Sequence, residues 1–289
     1  MDVFCIGNLN YDISFHVSRL PDMHEKIRCD DAFFSCGGSA GNTACWLGSL
    51  GFETGMVGAV GEDPLGYLQL QDLASYHVKT ETVRRTGATG IAVILVEGEA
   101  KRMIKFTGAN QWISVDESIR CARHIHVSSC PLTIVKEIIA ICRDVPLTLS
   151  WDPQELLFTE LVPHVTYLFI NEDDLRRKIG TTPLKEARDV LPAQCLVVTR
   201  NGGGCSILTH DTIDIPPFGY AAVDSTGAGD AFDAGFISGL LTQHTLKECG
   251  ILGTAASTMK VQHRGARGGI CRRDDFNAFL RKHDLTITL

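Results

Sequence analysis

Hydrophobic positions fall into short apolar runs that alternate with segments of helical spacing. The run Val3-Phe4-Cys5-Ile6-Gly7, ended by glycine, is typical of a strand buried on both faces of a parallel sheet. We predict such strands at 3–7, 54–60, 125–128, 147–151, 167–170 and 195–199. Helical spacing predicts helices over 40–50, 65–76, 132–142, 173–179, 185–191, 228–241, 246–261 and 274–282. This order predicts an α/β fold, with a doubly wound, mostly parallel sheet flanked by helices.

Two strand-like stretches, at 13–34 and 90–106, interrupt this alternation because no helix separates their apolar runs. We expect them to form a small β-sheet lid over a site at the carboxyl ends of the main strands. A hairpin that extends the main sheet is the alternative. We see no internal repeat, low-complexity tract or Pro/Ser-rich linker, so we predict a single domain over 1–289 that includes this lid.

Composition narrows the class of protein. The chain has 289 residues, of which 44% are hydrophobic and 21% charged, which excludes a disordered or coiled-coil chain. A net charge of -7 without a basic run argues against a nucleic-acid partner. No apolar run approaches the roughly 20 residues that span a bilayer. Because the start also lacks a signal-peptide pattern, we expect no membrane partner and a cytoplasmic location.

Cysteine and histidine positions give no metal-binding pattern. The 11 cysteines include no Cys-x-x-Cys pair, which favours reduced thiols over a disulfide or zinc framework. His124 and His126 share one face of a predicted strand without a third ligand nearby in sequence. We therefore expect them to be hydrogen-bonded strand residues and not metal ligands.

The most informative segment, 224–230, reads Asp-Ser-Thr-Gly-Ala-Gly-Asp and leads into an apolar helix. Small residues let the backbone approach a ligand, and free amides in the first helical turn favour an anion such as phosphate. A carboxylate at Asp230 then makes sense as a base that takes the proton of an attacking hydroxyl. The alternative is that Asp224 and Ser225 cap the helix while Asp230 complements its dipole. Neither a Walker-type phosphate loop nor a dinucleotide fingerprint occurs.

Segment 224–230 resembles the C-terminal signature of the ribokinase-like, or PfkB, carbohydrate kinases. Segment 37–44, Gly-Gly-Ser-Ala-Gly-Asn-Thr-Ala, continued at 58–66, resembles their N-terminal signature. The resemblance covers nearly the whole chain and implies a doubly wound α/β domain with a β lid. It also implies an enzyme that uses ATP and Mg²⁺ to phosphorylate a hydroxyl of a sugar, nucleoside or sugar phosphate.

The resemblance implies roles for particular residues. Asp230 would be the catalytic base, and the backbone amides at 227–229 would stabilise the transferring phosphoryl group. Asn10, Asp12, Gly38 and Asn42 would hold the acceptor, since short amide and carboxylate side chains suit a polyol. The alternatives are a turn role for Asp12 and a helix-start role for Asn42. The backbone amides at 227–229 belong to Gly227, Ala228 and Gly229.

The nucleotide contacts implied by the resemblance are Asn171, Thr199, Asn201, Gly202 and Gly265. Asp174 stands where the family has glutamate and would act on Mg²⁺ through water, with Glu172 as the alternative residue for that role. An acidic helix N-terminus is the alternative for this segment. Asp224 and Thr226 are implicated in binding a monovalent cation such as K⁺, although the sequence leaves open whether one binds.

The acceptor is the least determined part of this interpretation. Lys26, Arg28, Arg102 and Lys105 fall in the predicted lid and either neutralise a substrate phosphate or form a solvated strand edge. ATP and ADP both stay open as donors. A non-catalytic sugar- or nucleotide-binding regulator and a pyrimidine-alcohol kinase are the alternative functions. A homodimer joined through the lids is an expectation from the resemblance.

Overall fold

The computed structural model describes residues 1–29, 31–98, 100–153, 159–180 and 184–289. Within these ranges the strands form two sheets, and no helix is long and apolar enough to cross a membrane. In chain order the strands are β1 (Val3–Gly7), β2 (Asn10–Val17), β3 (Asp31–Gly37), β4 (Thr54–Val60), β5 (Val83–Arg85), β6 (Gly90–Glu97), β7 (Ala100–Phe106), β8 (His124–Ser128), β9 (Thr148–Asp152), β10 (Tyr167–Asn171), β11 (Cys195–Thr199), β12 (Cys205–Leu208) and β13 (Thr212–Ile215).

The main sheet has the order β13-β12-β11-β10-β9-β8-β1-β4-β5. Its strands run parallel from β5 to β11, whereas β12 and β13 are antiparallel additions at one edge. The predicted doubly wound, mostly parallel sheet is therefore confirmed. Sequence analysis missed β5, β12 and β13, since three or four residues are too few to show a clear hydrophobic period.

The helices are α1 (Ser39–Ser49), α2 (Pro64–Ser75), α3 (Leu132–Cys142), α4 (Glu172–Ile179), α5 (Ala187–Val190), α6 (Ala228–Leu241), α7 (Leu246–Val261) and α8 (Arg273–Lys282). Their starts follow capping rules: Asp63 accepts from the Gly66 amide before α2, and Thr245 with Glu248 forms a capping box before α7. The helix predicted over 185–191 is shorter, a single α-helical turn after the 3₁₀ turn Leu184–Glu186.

Apolar layers cover both faces of the main sheet. One layer joins β8 and β9 to α3, and the other joins β1 and β4 to α1 and α6. Helices α6 and α7 pack very closely, because a Cβ on Gly235 would lie 2.4 Å from the carbonyl oxygen of Leu252. This packing fixes the N-terminus of α6 beside the carboxyl ends of the strands, where the site was predicted.

The second sheet has the order β3-β2-β6-β7. Its strands extend past the predicted stretch 13–34 at both ends, and residues 18–29 between β2 and β3 contain no strand. Asp12, Ala92 and Lys105 are cross-strand neighbours and so share one face. Phe34, Ile13, Val93 and Ile104 form the next row, on the opposite face.

Candidate active site

A cavity of about 690 Å³ lies between the carboxyl ends of the main strands and the second sheet. All predicted site residues line it except Asp174, Asp224 and Gly265. The structure thus brings together parts of the chain that are more than 200 positions apart. The predicted residues in the lining are Asn10, Asp12, Gly38, Asn42, Asn171, Thr199, Asn201, Gly202, Thr226, Gly227, Ala228, Gly229 and Asp230.

Asp230 lies in the first turn of α6, and only 6% of its surface is exposed. Asn42 donates from Nδ2 to Asp230 Oδ2 at 2.7 Å. The pKa of Asp230 is raised from 3.8 to about 7. Burial is the main cause of this rise, the negative charge of Asp152 adds to it, and the hydrogen bond from Asn42 opposes it. A carboxylate with this pKa can accept a proton near neutral pH.

The turn before α6 provides the predicted anion site. Gly227 has φ of 80°, and a Cβ there would lie 2.5 Å from the Ala266 carbonyl oxygen, so only glycine fits. A Cβ on Gly229 would meet no atom within 4 Å, which shows that the first turn faces open space. The Ala228 amide, however, donates to Ser225 O at 3.1 Å and so already has an acceptor.

Arg267 is a buried residue that sequence analysis missed, with 7% of its surface exposed. Its Nε donates to Asn42 Oδ1 at 3.0 Å, and its Nη2 donates to Gly37 O at 3.1 Å. The guanidinium also pairs with Asp72 on α2. Because the oxygen of the Asn42 amide is held by Arg267, its nitrogen is directed toward Asp230.

Asn10, Asp12 and Lys105 line one part of the cavity, which we call the acceptor side after the role that the resemblance implies for Asn10 and Asp12. Asn10 and Asp12 are each only 9% exposed. Asn110, also missed by sequence analysis, donates from Nδ2 to Asn10 Oδ1 at 2.8 Å. Gly37 leaves room for the Asp12 carboxylate, because a Cβ there would lie 2.2 Å from Asp12 Oδ2. Burial raises the pKa of Asp12 to about 6, although Arg267 and Lys105 oppose the shift.

Among the four lid cations considered above, Lys105 alone lines the cavity, on the same sheet face as Asp12. Arg102 instead pairs with Glu97 at 2.9 Å on the exposed strand β7. Any charge-based recognition of an acceptor phosphate by these four residues therefore rests on Lys105.

Thr199, Asn201 and Gly202 line another part of the cavity, which we call the nucleotide side after the role that the resemblance implies for them. Tyr220 also lines the cavity. Asn201 occupies the turn between β11 and β12, and its backbone amide donates to Glu172 Oε1 at 2.9 Å. Its side chain donates to Asp173. Strands β11 and β12 form an antiparallel hairpin, and its turn contributes to the cavity.

The acidic start of α4 does not place Asp174 in the cavity. Asn171 caps the helix by accepting from the Asp174 amide at 2.8 Å, and the Asp174 carboxylate contacts Asn171 and Arg177. Asn171 and Asp173 line the cavity instead. In the described ranges, no group of three or more His, Cys, Asp or Glu side chains could hold a metal ion. The magnesium role of Asp174 stays a prediction.

Asp224 and Thr226, the predicted ligands of a monovalent cation, already contact two lysines that sequence analysis missed. Asp224 Oδ1 accepts from the amide and hydroxyl of Thr226 at 3.0 and 2.8 Å, and from Lys101 Nζ at 2.9 Å. Its Oδ2 accepts from the Gly265 amide at 3.0 Å, and its carbonyl oxygen accepts from Lys260 Nζ at 2.8 Å. These contacts hold the pKa of Asp224 well below its usual range, despite the opposing effect of burial.

The two strand histidines lie beneath the site and are hydrogen-bonded within the sheet, as predicted. His124 contacts Thr148 Oγ1 at 2.6 Å and Ser150 Oγ at 2.8 Å, and His126 contacts Ser150 Oγ at 2.9 Å. Burial lowers the pKa of both rings to about 3, so they are neutral at physiological pH. All 11 cysteines are free thiols.

Known proteins match this chain over nearly its whole length. An ATP-dependent ribose-1-phosphate kinase of Halopiger xanaduensis is 29% identical over 277 residues, covering 92% of this chain and 93% of that protein. A ribokinase of Bacillus subtilis is 26% identical over 291 residues, covering 96% and 99%. The structure of Arabidopsis thaliana ribokinase complexed with ribose and ATP superposes with a TM-score of 0.89 at 24% identity, covering 97% and 98%.

A nucleoside kinase structure from Methanocaldococcus jannaschii has a TM-score of 0.87 at 22% identity and covers 98% of each chain. These structural matches confirm the fold. The model of the pfkB family of carbohydrate kinases matches residues 1–271. Since that match includes both glycine-rich signatures and every residue that lines the cavity, the chain belongs to the pfkB carbohydrate kinase family.

Proposed function

We propose that this enzyme transfers the γ-phosphoryl group of ATP to a hydroxyl of a ribosyl compound. One observation carries the proposal: the Asp230 carboxylate is buried, has a pKa near 7, and shares a cavity with the polar pair Asn10 and Asp12. A base at that position can activate an alcohol that the pair holds. A helix-capping residue would need neither the cavity nor the raised pKa.

In this mechanism, the acceptor hydroxyl lies against Asp230, which takes its proton as the oxygen attacks the γ-phosphorus. The new oxygen–phosphorus bond forms while the bond to the bridging oxygen of ATP breaks, and ADP leaves. The amides of Gly227 and Gly229 stabilise charge on the transferring group, since the Ala228 amide already donates to Ser225 O. Mg²⁺ bound with ATP would supply further charge neutralisation. Within segment 171–174, Asn171 and Asp173 line the cavity and are the residues that would hold this ion.

The relatives support the choice of acceptor and donor. Their names include a ribose-1-phosphate kinase and ribokinases, and one structure contains ribose and ATP. A ribosyl group is common to these acceptors. Asn10 and Asp12 are suited to its paired hydroxyls, and Lys105 to a phosphate that the acceptor already carries.

We further propose that the second sheet acts as the lid of a single domain and joins two copies of the chain. The face that carries Asp12 and Lys105 would close over the acceptor and exclude water. On the opposite face, Phe34, Ile104 and Phe106 are more than half exposed, which supports an apolar dimer contact. Sedimentation of wild type and Ile104→Glu tests the dimer, which the variant should dissociate.

A substrate screen tests the proposed function. Thermal shift and ADP release should be measured with ribose, ribose 1-phosphate, adenosine, fructose 6-phosphate and a hydroxymethylpyrimidine, with ATP or ADP as donor. We expect turnover with ATP and at least one ribosyl acceptor. Binding of ATP without turnover of any acceptor would favour the regulatory alternative, and turnover confined to the pyrimidine alcohol would overturn the ribosyl assignment.

A further inference from the structure

Lys260 is a fully buried lysine whose ammonium group joins the two segments next to the anion site. It lies in the last turn of α7, and its surface exposure is 0%. Its Nζ donates to Asp224 O at 2.8 Å and to His263 O at 3.1 Å. Asp224 opens the segment that ends at Asp230, and His263 directly precedes the turn that packs against Gly227. One positive charge therefore ties both segments together.

Burying an ammonium group is energetically costly unless hydrogen bonds or an opposite charge compensate for the lost hydration. Lys260 offsets this cost through the two hydrogen bonds that its Nζ donates. Its hydrogen-bond acceptors are two carbonyl oxygens, the same donor type that replaces the hydration shell of a monovalent cation in proteins. Lys260 thus makes the contacts that a bound cation would make.

Lys101 supplies a second ammonium group from the second sheet. Its Nζ lies 2.9 Å from Asp224 Oδ1 and 3.3 Å from Thr226 Oγ1. Both ammonium groups contact the same residue, Lys101 through the Asp224 carboxylate and Lys260 through the Asp224 carbonyl oxygen. A metal cation added beside Asp224 and Thr226 would meet repulsion from both groups and would have to displace one of them.

We propose that Lys260 is a built-in replacement for the monovalent cation implied at Asp224 and Thr226, so that this enzyme folds and works independently of K⁺ and Na⁺. Lys260 is a positioning residue: it holds the carbonyl groups that orient the anion site and does not touch the reacting atoms. This inference rests on the proposed function, which assigns phosphoryl binding to the anion site. Its tests include stability and ADP binding, which need no acceptor and no turnover.

The first test compares salts with the wild-type enzyme. Melting temperature, ADP affinity and phosphoryl transfer are measured in about 100 mM KCl, NaCl or tetramethylammonium chloride, which keeps the ionic strength constant. Tetramethylammonium is too large to take the place of K⁺. We expect the same values in all three salts. Stabilisation or activation specific to K⁺ or Na⁺ would overturn the proposal, and this comparison requires no variant to fold.

The second test removes the ammonium group with Lys260→Met, and Lys247→Met serves as the matched control because it lies exposed on the same helix. In tetramethylammonium chloride, we expect Lys260→Met to melt lower and to lose about tenfold in ADP affinity, the effect of losing charged hydrogen bonds. KCl should restore part of both losses, while the control responds to no salt. Unchanged melting and ADP affinity in Lys260→Met would contradict the proposal.

Lys101→Met separates the two ammonium groups. Lys101 is on the exposed strand β7, so the variant should fold and should stay insensitive to K⁺ as long as Lys260 is present. A K⁺ response in Lys101→Met, but not in Lys260→Met, would assign the replacement to the second sheet and would overturn the role of Lys260.

Discussion

The acceptor and nucleotide sides of the cavity are built differently. Asn10 and Asp12 lie on β2 of the second sheet, whereas Thr199 ends β11 of the main sheet. On the acceptor side, Asp12 and Asn42 are buried polar groups, and Asn42 is held by Arg267. On the nucleotide side, Asn201 and Gly202 lie in an exposed turn. Under the proposed function, fixed side chains would recognise the acceptor, and mainly a surface turn would recognise the nucleotide.

This difference has an energetic basis. Buried polar groups lose more when a partner is removed, because the remaining group stays desolvated and unpaired. Exposed groups can bond to water instead. Substitutions on the acceptor side should therefore affect turnover strongly and selectively, whereas those on the nucleotide side should have small effects.

The largest effect is expected for Asp230→Asn. Loss of the general base should lower kcat by at least about 100-fold, while ADP binding measured by calorimetry stays near the wild-type value. Near-normal turnover of the variant would remove Asp230 from the role of base. Loss of ADP binding as well would mean that the two sides of the cavity are not separable.

The same variant should be more stable than the wild type at neutral pH. Asp230 has a higher pKa in the folded chain, about 7 against 3.8, so the folded state favours the protonated form. That stabilisation is complete below about pH 4 and is lost as the pH rises through 7, at a cost of about 4 kcal/mol. Denaturant unfolding of both proteins at pH 4 and 8 should show the difference only at pH 8.

The pH profile of kcat/KM gives the next largest effect. If the ionised form of Asp230 is the base, kcat/KM falls about tenfold per pH unit below an apparent pKa near 7. ADP affinity should change far less over that interval. A profile that stays flat from pH 6 to 8 would argue against a base with this pKa.

Asp12→Ala should act on the acceptor alone. A hydrogen bond to a charged group is worth about 1.5–3 kcal/mol, so the KM for the acceptor should rise about 10- to 100-fold. The KM for ATP should stay unchanged in the same steady-state experiment. An equal rise in both constants would contradict the separation of the two sides.

The smallest effect is expected for Asn201→Gly, the reciprocal control. The exposed contact between the Asn201 side chain and Asp173 contributes no more than about 0.5 kcal/mol, so the KM for ATP should change by only about twofold. The acceptor KM should not change. A tenfold effect on ATP would show that this turn is a major determinant of nucleotide binding.

Local sequence patterns were sufficient to predict the longer parallel strands of the main sheet and the turn before α6. The apolar runs show where those strands lie, and the small residues at 225–229 show where the backbone can come close to a ligand. The other predicted residues of the cavity came from the family resemblance and not from local patterns. Asp230 could be singled out because a carboxylate beside an anion site needs a chemical explanation.

Lys101, Lys260, Arg267 and Asn110 were missed because their contacts join distant parts of the chain. Arg267 contacts Asn42 across 225 positions, and Lys101 contacts Asp224 across 123. No periodicity or spacing encodes such pairs. A local signal existed only for Arg267, which lies two residues after the predicted nucleotide contact Gly265. Asp174 lies outside the cavity for a local reason, because Arg177, one helical turn away, binds its carboxylate.

Side chains alternate between the two faces of the second sheet, and the two faces have different proposed roles, acceptor recognition and self-association. Asp12, Ala92 and Lys105 belong to one row, and Phe34, Ile13, Val93 and Ile104 belong to the next. If the second sheet acts as proposed, a substitution in the first row would alter which alcohol is preferred, while one in the second row would alter self-association. Adjacent codons would then diversify substrate choice and quaternary structure independently, without disturbing the proposed base on α6.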